Sequence, residues 1–215
     1  MGILSENVVT ELRKRLAGLK GPVKLIVFTQ DMECQFCQAA RELVEQVATL
    51  SEKFSVTVYD FLKDTEKVNA YGIDKIPAIV VEGKMDSGIR FFGLPSGYEF
   101  GSLLEAANIV SRNNAMLSPE TLEILSPLDR LVHIQVFVTP TCPYCPIVVK
   151  VALRFAFAKE QIRADMVETT MFPHLANRYA VLSVPKVVIN ETFSFEGVLP
   201  EKQFAEQVMR AVQGG

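Results

Sequence analysis

The sequence predicts an α/β fold of two tandem units, each a mixed β-sheet flanked by helices. Three observations predict it. All four cysteines fall in two pairs of identical spacing, Cys34-Gln35-Phe36-Cys37 and Cys142-Pro143-Tyr144-Cys145. A proline follows each pair at the same distance: Ile76-Pro77 lies 43 residues after Cys34, and Val184-Pro185 lies 43 after Cys142. Tyr71 and Tyr179 keep the offset of 108 that relates the cysteines and the prolines. A period of about half the 215 residues is too long for a solenoid, so each copy is domain-sized. The units are expected over 1–115 and 116–215.

Each element follows from local pattern. In the first unit, 5–18 reads as a helix, broken by Gly21-Pro22. The apolar run 24–29 is a buried strand. A helix is expected to open at Cys34 and run to about 50, with Ala40, Leu43, Val44 and Val47 at helical spacing. Residues 56–59 read as a strand, and 64–71 as a short helix capped by Asp64. The strands 78–81 and 89–92 form a hairpin, and a helix runs from Gly97 to about 113. The second unit repeats this order. Residues 118–126 are a helix with Ser118 as N-cap and Pro119 at the first helical position. A strand at 133–138 leads to the Cys142 helix, expected to end near 159. A strand at 164–167, a helix at 173–179, a hairpin of 186–189 with 193–196, and a helix at 200–212 complete it. The linker 113–117 is short, so the units are expected to pack together and move little.

Composition narrows the function. Charged residues make up 22% and the net charge is −3, which favours neither nucleic acid nor a membrane surface as partner. No apolar run reaches the length of a membrane-spanning helix. The start, Met1 to Asn7, lacks the basic and apolar regions of a secretory leader, and Glu6 breaks an acylation pattern at Gly2. A cytoplasmic protein is expected, and disulfides in that compartment are usually catalytic.

A cysteine pair at this spacing places its sulfurs one helical turn apart, able to join as a disulfide or to share a metal. A strand feeding the pair into a helix favours the redox use. At a helix N-terminus the free N–H groups and the dipole favour thiolate, so Cys34 and Cys142 are the expected attacking sulfurs. Cys37 and Cys145 then release the mixed disulfide. Asp31 and Glu33 place negative charge near Cys34, whereas Thr139-Pro140-Thr141 is neutral, so Cys142 is expected to be the more reactive thiolate. Pro146 is awkward if Cys142 caps the helix, and a local irregularity is expected there. Phe36 and Tyr144 are expected to form exposed rims. Asp60 and Glu168 stand 17 residues before their prolines, at strand ends. They are candidates to shuttle protons, or else solvated carboxylates. His133 and His174 read as structural.

The order αβαβαββα, twice, is the thioredoxin-like order. With a paired-cysteine motif and a downstream (Ile/Val)-Pro in each unit, the chain resembles the thermophilic, glutaredoxin-like protein disulfide oxidoreductases. Cys142-Pro143-Tyr144-Cys145 has the glutaredoxin form. The N-terminal module of bacterial peroxiredoxin reductases is a related tandem, but it keeps one pair where this chain has two. The resemblance implies two thioredoxin-like units whose redox-active disulfides serve in place of a bound cofactor. It implies that Pro77 and Pro185 are cis, and that Ile76 and Val184 pair with substrate backbone. It implies protein thiols and disulfides as substrates, a flavin-containing electron donor of the thioredoxin-reductase type, and a thermophilic source. The buried Asp of thioredoxins proper is replaced by Phe28 and Val136, and the motif's tryptophan is missing. Two other classes stay open: a structural zinc protein with four thiolates on one ion, and a non-catalytic peptide-binding module.

Overall fold

The computed structural model describes residues 6–213. The expectations for residues 1–5, and the outermost ends of the two expected units, lie outside the described residues.

In the first half α1 (Glu6–Leu16) precedes β1 (Val23–Thr29), α2 (Cys37–Ala48), β2 (Phe54–Asp60) and α3 (Thr65–Ala70). β3 (Ala78–Glu82) and β4 (Ile89–Phe92) follow, then a 3₁₀ turn (Gly97–Glu99) and α4 (Phe100–Arg112). The second half repeats this with α5 (Pro119–Leu125), β5 (Val132–Val138), α6 (Cys145–Ala158), β6 (Ile162–Glu168) and α7 (Pro173–Arg178). β7 (Lys186–Ile189), β8 (Phe193–Glu196) and α8 (Glu201–Gln213) close it. Each half is a parallel βαβ crossover followed by an antiparallel hairpin, as the periodicity requires.

The halves do more than pack together. They share one eight-stranded sheet in the order β2-β1-β3-β4-β6-β5-β7-β8. The joint is a parallel ladder in which Ile89 faces Ala164, Arg90 faces Asp165, Phe91 faces Met166 and Phe92 faces Val167. β4 suits an inner position because all four of its residues are buried. The apolar layer on one face runs unbroken across the joint, from Val27 and Leu43 through Phe91 and Leu103 to Val149 and Phe204. The other face is covered by α3 and α7 over Phe28, Phe92, Phe137 and Val167.

Strand direction places the two cysteine motifs. β1 and β4 run the same way because each is antiparallel to β3; β6 and β5 follow β4. Both motifs therefore leave the same rim of the sheet. The crossovers β1–α2–β2 and β5–α6–β6 step across the sheet in the same sense, so α2 and α6 cover the same face. Four strand steps separate β1 from β5, about 19 Å, with about 80–100° of accumulated twist.

Local geometry differs from expectation at several points. Both motif helices open on the second cysteine, with Phe36 and Tyr144 as the residues before them. Pro146 therefore falls in the first turn of α6, where no N–H is needed, and it causes no irregularity. The Asp64 cap is not made; its Oδ2 accepts the Asp60 N–H at 2.7 Å instead. Ser118 does cap α5, its Oγ accepting the Thr121 N–H at 3.2 Å.

Candidate active site

Each motif closes on itself as a disulfide, Cys34 with Cys37 and Cys142 with Cys145, with Cα separations of 5.4 and 5.5 Å. The two pairs do not converge, as a shared zinc would need. Among the described residues no cluster of three or more His, Cys, Asp or Glu side chains could hold a metal ion.

The first cysteine of each pair is the reachable one. Cys34 is half-buried, and Cys37 is 1% exposed. Cys142 is 8% exposed and Cys145 0%. This ordering suits an attacking sulfur nearer the surface and a resolving sulfur beneath it. In the second site the Cys145 N–H donates to Cys142 Sγ at 3.1 Å. A donor aimed at the first sulfur favours its anionic form. In the first site the Cys37 N–H points to the Cys34 carbonyl at 3.5 Å.

The Ile76–Pro77 and Val184–Pro185 bonds are both cis. Matching bonds hold the two segments: Gly93 N–H donates to the Pro77 carbonyl and Gly197 N–H to the Pro185 carbonyl, each at 2.9 Å. The Val184 carbonyl lies 3.8 Å from Cys142 Sγ. The second motif and its distant proline segment, joined only by spacing in the sequence, thus meet in space. Ile76 and Val184 are half-buried, while Pro77 and Pro185 are buried.

Tyr144 is 62% exposed and forms the expected rim, whereas Phe36 is half-buried rather than fully open. Asp31 and Glu33 are exposed, so water screens much of their effect on Cys34.

Asp60 ends β2. Its Oδ1 accepts the N–H groups of Leu62 and Lys63, each at 3.0 Å, and Lys63 Nζ lies 3.2 Å from Oδ2. Partial desolvation opposes ionisation, but these contacts hold the pKa below the usual carboxylate value. Glu168 ends β6 and is buried; its carboxylate accepts the Thr170 N–H, the Thr170 hydroxyl and the Met171 N–H. The histidines stay away from both sites. His133 Nε2 lies 2.6 Å from Asp165 Oδ2, and His174 packs its ring edge against Phe172.

The first half also builds part of the second site. The Tyr98 N–H donates to the Pro140 carbonyl at 3.1 Å. Gly97 has φ +57°, and a Cβ there would sit 2.3 Å from the Pro140 oxygen. No side chain fits that approach. Sequence reasoning missed this contact and Glu99 beside it. Tyr98-Glu99-Phe100 opens a helix, where an acidic residue is ordinary.

A family model described as a thioredoxin domain matches residues 23–105 and again 132–210. The chain belongs to the thioredoxin-domain family. Each match falls within one half and contains one cysteine pair and one cis-proline. The crystal structure of a protein disulfide oxidoreductase from Aeropyrum pernix K1 superposes with a TM-score of 0.92 at 31% identity, covering 98% of this chain and 94% of that one. The NTD_N/C domain of alkyl hydroperoxide reductase AhpF from Enterococcus faecalis superposes at 0.88 with 26% identity, covering 95% and 99%. The F subunit of alkyl hydroperoxide reductase from Escherichia coli is 26% identical over 87% of this chain. That match covers 34% of the Escherichia coli protein, so the chain spans about a third of such a relative. With both pairs at disulfide distance, these likenesses make the chain a thiol–disulfide oxidoreductase.

Proposed function

We propose that the chain reduces, oxidises and isomerises protein disulfides through two cooperating sites. Cys34 or Cys142 attacks as thiolate and forms a mixed disulfide with the substrate. Cys37 or Cys145 then attacks the near sulfur and frees the reduced substrate, leaving the pair oxidised. The reverse sequence oxidises a dithiol. The observation that carries this reading is a first sulfur more exposed than the second in each pair, over a fully buried second sulfur. Ile76 and Val184, each before its proline, would pair with the substrate backbone; the Val184 carbonyl beside Cys142 Sγ supports that role. Asp60 and Glu168 belong to the same proposal as proton carriers. Lys63 and the backbone hold Asp60 ionised, which weakens it in that role.

Units bounded at 1–115 and 116–215 are part of this reading, each supplying one site. Two sites on one rim raise the effective concentration of the second for a substrate held by the first, which isomerisation needs. A cytoplasmic setting and a flavin-containing donor of the thioredoxin-reductase type complete the proposal; the donor would return the pairs to the dithiol state.

Changing either pair to Ser tests it. Each variant should still catalyse insulin reduction by dithiothreitol yet lose much of its ability to refold scrambled ribonuclease. Full isomerase activity in a single-pair variant would show that the sites act alone. Loss of insulin reduction only when both pairs are changed is the expected control.

The likeness to alkyl hydroperoxide reductases favours a second reading. In it the pairs pass electrons to a peroxide-reducing thiol protein. Reduced chain mixed with such a protein and a hydroperoxide should then oxidise faster than with the hydroperoxide alone.

A further inference from the structure

Glu99 is 1% exposed, and neither carboxylate oxygen has a hydrogen-bond partner. A buried carboxyl in that condition is costly unless it holds a proton. It belongs to the first half but stands against the active-site helix of the second. Gly101 opposes Lys150 Nζ, and Glu105 bonds Arg154, so α4 and α6 run side by side in the same direction. The preceding residues Gly97 and Tyr98 touch Pro140, two residues before Cys142. Glu99 therefore stands beside the first turn of α6, which begins at Cys145. Helix rise and helix spacing put its carboxyl about 10 Å from the disulfide.

We propose that Glu99 is a positioning residue for the second site: it binds a proton when the Cys142–Cys145 pair is reduced and so couples that site's electron uptake to pH. It acts through its charge rather than by contact. The inference rests on the reading that Cys142 is the attacking thiolate. When a dithiol donor reduces the pair, its two electrons break the Cys142–Cys145 bond and the donor becomes a disulfide. One of its two protons goes to Cys145, and Cys142 remains thiolate. The other is bound by the Glu99 carboxylate, so the new negative charge on sulfur is balanced nearby. Oxidation of the pair reverses each step.

The surroundings fit a group that titrates near neutrality. Burial raises the Glu99 pKa from 4.5 to about 7; Ser102 and Lys150 lower it, but by less. Ser102 Oγ lies near the carboxyl yet is left without a hydrogen bond of its own. Lys150 is the cation that α6 turns toward it. Arg13 and Lys14 on α1 are exposed, and several other charged groups of the elements around α4 are engaged elsewhere. Arg154 pairs with Glu105, Glu11 with Arg15 and Lys24 with Glu82, and Glu168 is bound by its own turn. Past the shorter second hairpin the halves are offset by 104 residues, as β4 and β8 are, so the matching position is Gln203, which carries no charge, and the carboxyl is not duplicated.

The test compares wild type with Glu99→Gln by iodoacetamide alkylation of the reduced protein across the neutral range, read by mass at each cysteine. The midpoint for Cys142 should fall by roughly half a pH unit to one unit in the variant, and the midpoint for Cys34 should not move. Unchanged Cys142 profiles overturn the proposal. The unmutated protein gives an independent reading that does not depend on a variant folding. The Glu99 carboxyl, followed by carbon-13 NMR, should titrate at higher pH in the reduced than in the oxidised protein. Equal midpoints in the two redox states also overturn it. If Cys142 proves inert in insulin reduction, the reading of the site fails; if Cys142 is active and Glu99 silent, this inference alone fails.

Discussion

In the first half the sheet edge is covered and the site is open: β4 is buried at all four residues, and Cys34 is half-buried beside exposed Asp31 and Glu33. In the second half the edge is open and the site is covered. β8 alternates half-buried Phe193 and Phe195 with exposed Ser194 and Glu196, and Cys142 lies nearly buried two residues after Pro140, which a turn of the first half touches. One joint produces both differences. When β4 pairs with β6, it gains a neighbour on its free side, and the chain leaving β4 is carried across to Pro140 and α6. Two copies of one fold thus become unequal without any change in their own topology.

The sharpest way to break this comparison is to cut the joint and the outer edge equally. Phe91→Ala should cost about 3–5 kcal/mol of stability in urea unfolding, because Phe91 is fully buried against Met166 at the joint. Phe195→Ala, at a half-open edge, should cost less than half as much. Equal losses would mean that the joint is no better packed than the edge.

Asp165 gives a second contrast, since the matching place in the first half holds Thr57. Burial alone would raise the Asp165 pKa, but His133 and Arg163 hold it far below the usual carboxylate range. A carboxylate lowered in this way stabilises the fold above its unfolded pKa, and the stability is lost as pH falls through the acid range. Asp165→Asn should cost about 3 kcal/mol at neutral pH and flatten the acid limb of stability against pH. Thr57→Val should do neither.

Glu99 has the opposite sign. Its folded pKa, about 7, lies above its unfolded value, so the folded state binds the extra proton and stability falls as pH rises between about 4.5 and 7. Glu99→Gln should therefore gain up to about 3 kcal/mol above pH 7 and nothing below pH 4.5, by chemical unfolding at the two extremes. A pH-independent difference would show that the carboxyl stays neutral throughout.

The smallest expected effect concerns the cysteines. Cys142 receives the Cys145 N–H on its sulfur, and Cys34 has no matching donor among the described residues. Iodoacetamide should therefore label Cys142 at lower pH than Cys34, by about one pH unit or less. Equal profiles, or Cys34 reacting at the lower pH, would show that the donor and the neutral approach to Cys142 do not matter.

Much of this molecule is legible in the sequence. The 43-residue spacing ties Cys142 to Val184 and Pro185, and Cys142 and Val184 meet at 3.8 Å. Periodicity finds every strand of the sheet, because most are apolar runs or alternate. What cannot be read is long-range and unrepeated. The β4–β6 joint has no counterpart within either copy, although Ile-Arg-Phe-Phe against Phe-Ser-Phe-Glu is a signal that β4 lies inside. Sequence reasoning starts the motif helices one turn too early, since a Cys-X-X-Cys pair does not say which sulfur begins the helix. Glu99 escapes it because burial of a helix-start carboxylate depends on which helix packs beside it.

The joint is also head-to-tail. It sets a β4-type edge against a β6-type edge, and these are different surfaces, so the contact does not close on itself. Repeated, the same operation would add the β2 edge of another copy to β8, and then another, as an open filament. The sheet's outer strands oppose that growth. β8 is four residues long and turns Ser194 and Glu196 outward, and Glu196 also holds Lys186 at 3.4 Å. Short, charged edges are poor templates for added strands. The series therefore stops where Ser194 and Glu196 stand, in the positions that Arg90 and Phe92 fill inside the molecule.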